Sequence, residues 1–316
     1  KNEIFLKGDC ESRCTCQGNN HVSCTTQTCA PDEACKVQNG IKACFPADTS
    51  SCHIYGDPHY ITFDGKLYHF QGSCNYTVVE TCGNTSVYFS ITTRNEHRGS
   101  LTWTAINSVA VSFNDLNIIL GKNKVVEING LVVSFPTTPA PGISIGLSGA
   151  FVVLQTNFGL EVKFNGDHEL FVKVNENFKG KLCGLCGTYN GNQQDDFLTP
   201  EGVLAPTSND FGNSWRVSDA GWICEDDVVD PPPCGPTDEI KYEDECKLIL
   251  AGNGPFKDCH PHILPQIYFE NCVYDLCATG GNQDQFCNAL EAYASACENA
   301  GIVVGDWREN TICRKK

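Results

Sequence analysis

The 21 cysteines of this 316-residue chain constrain it more than any other feature, because they divide it into three parts. Seven precede residue 48: Cys10, Cys14, Cys16, Cys24, Cys29, Cys35 and Cys44. Six bracket a long middle stretch, Cys52, Cys74 and Cys82 at one end and Cys183, Cys186 and Cys224 at the other. Eight fill the C-terminal part: Cys234, Cys246, Cys259, Cys272, Cys277, Cys287, Cys297 and Cys313. Sulfur at this density persists as disulfides in an oxidising compartment, so the expected location is secreted and extracellular. A thiolate metal cluster would need repeated Cys-x-Cys pairs, and Cys14/Cys16 alone has that spacing. The sets of six and eight can each close internally. The odd cysteine then belongs to the first part, with a partner expected upstream. The chain has no Met and begins without a signal-peptide core, which fits a segment of a longer protein.

Each part has its own texture. Residues 1–48 carry too few apolar side chains for a core and must rely on cross-links, with a hairpin turn expected at Asn39-Gly40. Residues 49–230 alternate short β-branched and aromatic runs with turn residues, the pattern of an antiparallel β-sandwich. Expected strands include Tyr60–Phe70, Tyr76–Glu80, Val87–Thr93, Ala110–Phe113, Asn117–Leu120, Leu131–Phe135, Phe151–Gln155, Leu160–Phe164 and Glu169–Val174, with Thr137–Gly149 a loop. Residues 231–316 turn helical: Phe286, Leu290, Tyr293 and Cys297 recur at helical spacing after a Pro231-Pro232-Pro233 linker. The fold class is therefore mainly β, with a small disulfide-rich N-terminal module and a helical eight-cysteine module.

The net charge of −16 argues against a nucleic-acid partner. The sequence has no apolar run long enough to span a membrane. It also lacks a Gly-x-Ser-x-Gly elbow, a His-Glu-x-x-His pair and a phosphate-cradling loop. His260-Pro261-His262 has no third ligand suggested nearby and reads as a loop.

Two stretches carry a family likeness. The first is Tyr55-Gly56-Asp57-Pro58-His59-Tyr60-Ile61-Thr62-Phe63-Asp64-Gly65, followed by Phe70-Gln71-Gly72-Ser73-Cys74. The second is Cys183-Gly184-Leu185-Cys186-Gly187-Thr188-Tyr189-Asn190-Gly191-Asn192, continuing to Asp195-Asp196-Phe197 and Phe211-Gly212-Asn213-Ser214-Trp215. In this order they resemble the von Willebrand factor type D domain. The helical part resembles the C8 module that follows it, and the N-terminal part the tail of a trypsin-inhibitor-like module.

The resemblance implies a Ca²⁺ site at Asp64, Asn190, Asn192, Asp195 and Asp196, whose oxygens suit a hard cation. By spacing alone, a solvated turn is the plainer reading of that loop. The resemblance also implies the pairs Cys52–Cys186, Cys74–Cys224 and Cys82–Cys183. Such pairing would leave the Cys183-x-x-Cys186 motif without the free dithiol that disulfide exchange requires. Relatives with an intact Gly-Asp-Pro-His cleave themselves between Asp and Pro, which makes Asp57, Pro58 and His59 candidates, His59 as a proton-transfer group. An Asp-Pro turn that starts a strand is the alternative. Asn75 and Asn84 head N-glycosylation acceptor patterns.

The leading expectation is a structural, calcium-binding building block of a large secreted glycoprotein, flanked by neighbouring D assemblies and meeting other extracellular glycoproteins in mucus, adhesion or matrix. A conventional enzyme is not expected. The alternatives are a ligand-binding module, for immunoglobulin or an egg-coat glycoprotein, and a protease inhibitor.

Overall fold

A computed structural model describes the chain apart from residues 1–3, 9, 19–20, 31, 57, 99–101, 219–223, 225–230, 232, 310 and 314–316. The first part holds two small sheets. Strands β1 (Ile4–Lys7), β2 (Ser12–Gly18) and β3 (His21–Thr26) form one, and β4 (Glu33–Gln38) and β5 (Ile41–Pro46) form a hairpin. The hairpin turns at Asn39-Gly40 with φ of 51° and 77°, left-handed values that match strand twist in a two-residue turn. Sulfur replaces a core here, through Cys10–Cys35, Cys14–Cys24 and Cys29–Cys44. Cys16 on β2 is the odd cysteine.

The middle part supplies β6 (Thr49–Tyr55), β7 (His59–Ile61), β8 (Leu67–His69), β9 (Asn75–Thr81), β10 (Ser90–His97), β11 (Thr104–Phe113) and β12 (Leu116–Leu120). It continues with β13 (Val126–Ile128), β14 (Leu131–Val133), β15 (Thr137–Ala140), β16 (Ile143–Ser148), β17 (Phe151–Thr156), β18 (Leu160–Phe164) and β19 (Leu170–Asn175). Strand β20 (Leu182–Cys183), helix α1 (Ser208–Ser214) and strand β21 (Arg216–Val217) complete it. Two antiparallel sheets result. One runs β14-β13-β12-β11-β10-β9-β20 with β21 also on β9; the other runs β15-β16-β17-β18-β19-β6-β7-β8. Period-2 alternation turns Leu160, Val162, Phe164, Leu170, Val172 and Val174 of the second sheet into one core with Val109, Val111, Ile118 and Leu120 of the first.

Two segments depart from expectation. Tyr60–Phe70 is not one strand but the β7–β8 pair, folded back at Asp64-Gly65, where Gly65 takes φ 84°. Thr137–Gly149 is not a loop: it forms β15 and β16. Pro139 is tolerated because β15 is an edge strand, where a missing N–H interrupts no ladder.

Strands β6 and β19 are buried on both faces. Cys52, Ile54 and Val172 point into the sandwich, whereas His53, Tyr55 and Phe171 point away from it. That outer face is covered by helices α2 (Pro236–Cys246), α3 (Pro265–Ala278) and α4 (Gln283–Asn299). The Asn282 side chain caps α4 by accepting from the Asp284 N–H at 2.9 Å. Phe286, Ala289, Leu290, Tyr293, Ala296 and Cys297 form its buried stripe. The pairs Cys234–Cys277, Cys246–Cys272, Cys259–Cys297 and Cys287–Cys313 close the helical part on itself.

Candidate self-cleavage and calcium sites

The Gly-Asp-Pro-His motif lies where β6 passes into β7, antiparallel strands in which Tyr55 pairs with His59. Gly56 takes φ 62°. Asp57 lies outside the described residues, while Pro58 and His59 are buried. Strand alternation places His53, Tyr55, His59 and His69 on the outer face of the sheet, against α3. Helical spacing on α3 brings Tyr268, Asn271 and Asp275 down onto them.

The contacts are specific. His59 Nε2 meets Asp275 Oδ1 at 2.6 Å, and His59 Nδ1 meets His69 Nδ1 at 2.8 Å. Tyr274 stacks on His69 with centroids 4.4 Å apart, and Asn271 Nδ2 donates to the Tyr55 hydroxyl. One turn away, His53 bridges Tyr268 Oη and Glu169 Oε1, each at 3.0 Å, and Ser295 Oγ donates to Glu169 Oε2 at 3.2 Å. Burial pushes the His59 and His69 imidazoles down to about 3, and moves Asp275 and Glu169 well above the carboxylate range. In both clusters the neutral forms are favoured, with the proton on the carboxyl and not on the ring.

His69, Asp275, His53 and Glu169 were not singled out from sequence. Asp275 lies 216 residues from His59 and has no local motif to mark it. The alternation His53-x-Tyr55…His59 puts these side chains on one strand face, but polar residues there read as a solvated face, so nothing local marked the helical cover.

The residues of the second candidate loop are joined by hydrogen bonds. Asp64, in the β7–β8 turn, accepts from the N–H groups of Asn190 and Gly191, both at 2.9 Å. Asp195 accepts from Thr188 Oγ1 and from the amides of Asn190 and Asn192 at 2.8 and 3.2 Å. Asp196, 1 % exposed, accepts from Thr62 Oγ1 at 2.6 Å and from the Thr188 N–H. Burial raises its carboxyl above the usual range, and the charges of Asp64 and Asp195 add to that. Carboxylate and amide oxygens are the donor types a Ca²⁺ site uses, but here each carboxylate oxygen of Asp64, Asp195 and Asp196 accepts from an N–H or O–H of the loop, and the three do not gather into one cluster of ligand atoms.

Cys52–Cys186, Cys74–Cys224 and Cys82–Cys183 are bridged. Both sulfurs of the Cys-x-x-Cys motif are therefore occupied. Asn84 is exposed, whereas Asn75 is half-buried on β9 beside Arg94. His260 Nε2 bonds the Ile249 carbonyl at 2.8 Å, a structural role in a turn. Among the described residues no helix is long and apolar enough to cross a membrane.

Comparison with known proteins agrees with this architecture. Residues 52–203 match the family model of the von Willebrand factor type D domain, and residues 245–314 that of the C8 domain. Zonadhesin of Sus scrofa is 35% identical over 98% of this chain, and alpha-tectorin of Mus musculus 38% over 99%. The IgGFc-binding protein of Homo sapiens is 38% identical over 92%. The chain spans 13%, 15% and 6% of these relatives, respectively. A double-layered, disulfide-closed sandwich capped by an eight-cysteine helical unit is thus a D-type assembly of the extracellular space: the chain carries a von Willebrand factor type D domain followed by a C8 domain.

Proposed function

We propose that this chain is a structural unit of a large secreted glycoprotein serving adhesion, mucus or matrix assembly, held by calcium and self-cleaved at Asp57–Pro58. The observation that carries the structural reading is the interlock of sandwich and helices. Ten disulfides close the three parts, and a polar, fully buried face joins the last two. Such a body suits transmission of shape and load along a tandem array.

Asp64, Asn190, Asn192, Asp195 and Asp196 are the residues that would hold the ion. Ca²⁺ there would neutralise mutually repelling carboxylates and tie the β7–β8 turn to the loop after Cys186. Chelation in the presence of EDTA is expected to lower the melting temperature. At calcium concentrations about 100 times Kd the lost stabilisation is about 2.7 kcal/mol. An unchanged melt would remove the site.

For the scission, a carboxylate oxygen of Asp57 bonds to its own carbonyl carbon as the C–N bond to Pro58 breaks. Pro58 nitrogen takes up one proton, and water opens the resulting anhydride to two carboxyl groups. His59, next to Pro58 in sequence and buried against Asp275, supports this reading. Because Cys52–Cys186 bridges across the bond, the pieces 1–57 and 58–316 should separate only on a reducing gel. A single band on that gel would count against scission.

A further inference from the structure

The family resemblance implies a proton-transfer role at Asp57–Pro58 for His59. The geometry qualifies that assignment, because both ring nitrogens of His59 are engaged: Nε2 by Asp275 Oδ1 at 2.6 Å and Nδ1 by His69 Nδ1 at 2.8 Å. The other oxygen of Asp275, Oδ2, lies 3.5 Å from where a Cβ on Gly56 would stand, so this carboxyl also faces the hairpin. Asp275 is 1 % exposed and His59 0 %, whereas His69 is half-buried beneath Tyr274.

We infer that Asp275 of the C8 domain is a positioning residue for self-cleavage, forming with His59 and His69 a proton relay that runs from the hairpin toward solvent. This rests on the self-cleavage reading above.

The three side chains can exchange roles without moving. With the proton on Asp275, the carboxyl donates to His59 Nε2 and His59 Nδ1–H donates to His69 Nδ1. With it shifted outward, every donor and acceptor reverses. When the C–N bond breaks, the relay supplies the proton taken by Pro58 nitrogen and is left one proton short. Opening of the anhydride by water releases a proton that restores it. Cleavage then depends on the helical domain having docked, since α3 delivers Asp275. A chain whose C8 domain has not closed stays uncut.

The test follows scission in the full wild-type chain, Asp275→Asn and His69→Gln by reducing gel over time between pH 5 and 8. Glu270→Gln, exposed on the same helix, is the control. The groups facing His59 that shape the profile are Asp275 and Tyr274 from α3, His69 from β8 and Tyr55 from β6. Asparagine keeps a hydrogen bond to His59 but cannot exchange its proton. Asp275→Asn should therefore fold with the wild-type disulfide set, cut at least tenfold more slowly and change the pH profile of the rate. Glu270→Gln should cut as wild type does. Wild-type rate and profile in Asp275→Asn would overturn the inference while leaving self-cleavage standing. If Asp275→Asn fails to fold, His69→Gln decides, because it breaks the relay at its outer end without touching α3's carboxyl. Slow scission supports the relay and an unchanged rate overturns it. A wild-type chain that stays intact at every pH overturns both readings.

Discussion

Single side chains decide how the two domains meet, and they do so through burial more than through charge. Held near 3, His59 and His69 stay neutral in the folded chain while the unfolded chain takes up protons below about pH 6.5. Each such ring removes up to about 1.4 kcal/mol per pH unit as pH falls toward 3. The raised carboxyls of Asp275 and Glu169 act in the opposite sense. They keep protons in the folded chain that the unfolded chain loses above about pH 4, so their share of stability grows on acidification. Asp275→Asn removes one of these opposing groups. Its melting temperature is expected to fall more steeply than wild type between pH 6.5 and 4 in a thermal scan series; parallel curves would contradict this. His53→Ala should cost on the order of 3 kcal/mol in denaturant unfolding, because Tyr268 Oη and Glu169 Oε1 lose their shared buried partner.

At the scale of elements, the sequence displayed what depends on local pattern. Alternation marked β17, β18 and β19, the Asn39-Gly40 pair marked its hairpin, and the Phe286–Cys297 spacing marked α4. What it hid depends on partners far away. Thr137–Gly149 looked like a loop because Pro and Gly obscure alternation, yet Pro139 sits on the edge strand β15 and Gly142 and Gly149 in the turns that flank β16. His53, Tyr55 and Phe171 gave no hint of a helical cover, since a strand's second face is defined only by what docks on it. The hydrogen-bonded turn at residues 190–196 was legible because its Asp and Asn residues cluster in sequence, whereas Asp275 was not, because its neighbours are distant. The Cys183–Cys186 segment shows a tighter local demand. Gly184 takes φ 117°, and a Cβ there would stand 2.6 Å from the Val78 carbonyl oxygen. Gly184→Ala is expected to destabilise by more than about 2 kcal/mol, since neither a left-handed backbone nor that strand can yield cheaply. Wild-type unfolding would show that β9 can shift.

For the whole molecule, sulfur and buried contacts divide the labour. The helical part is closed by four internal bridges and no disulfide joins it to the sandwich. Its attachment therefore rests on the chain itself and on the face formed by Tyr55, Phe171, Tyr268 and the two His–carboxyl pairs. Within the sandwich, Cys52–Cys186 and Cys82–Cys183 link sequence-distant ends, so a break in the β6–β7 hairpin need not open the body. The claim at this scale is that self-cleavage, as proposed, leaves two pieces that Cys52–Cys186 alone still joins. Intact mass measured before and after reduction tests it most directly. The expected result is one unreduced species carrying one added water and ten disulfides, which reduction separates into 1–57 and 58–316. A single unhydrated chain after reduction, or two pieces already separate before it, would contradict the claim.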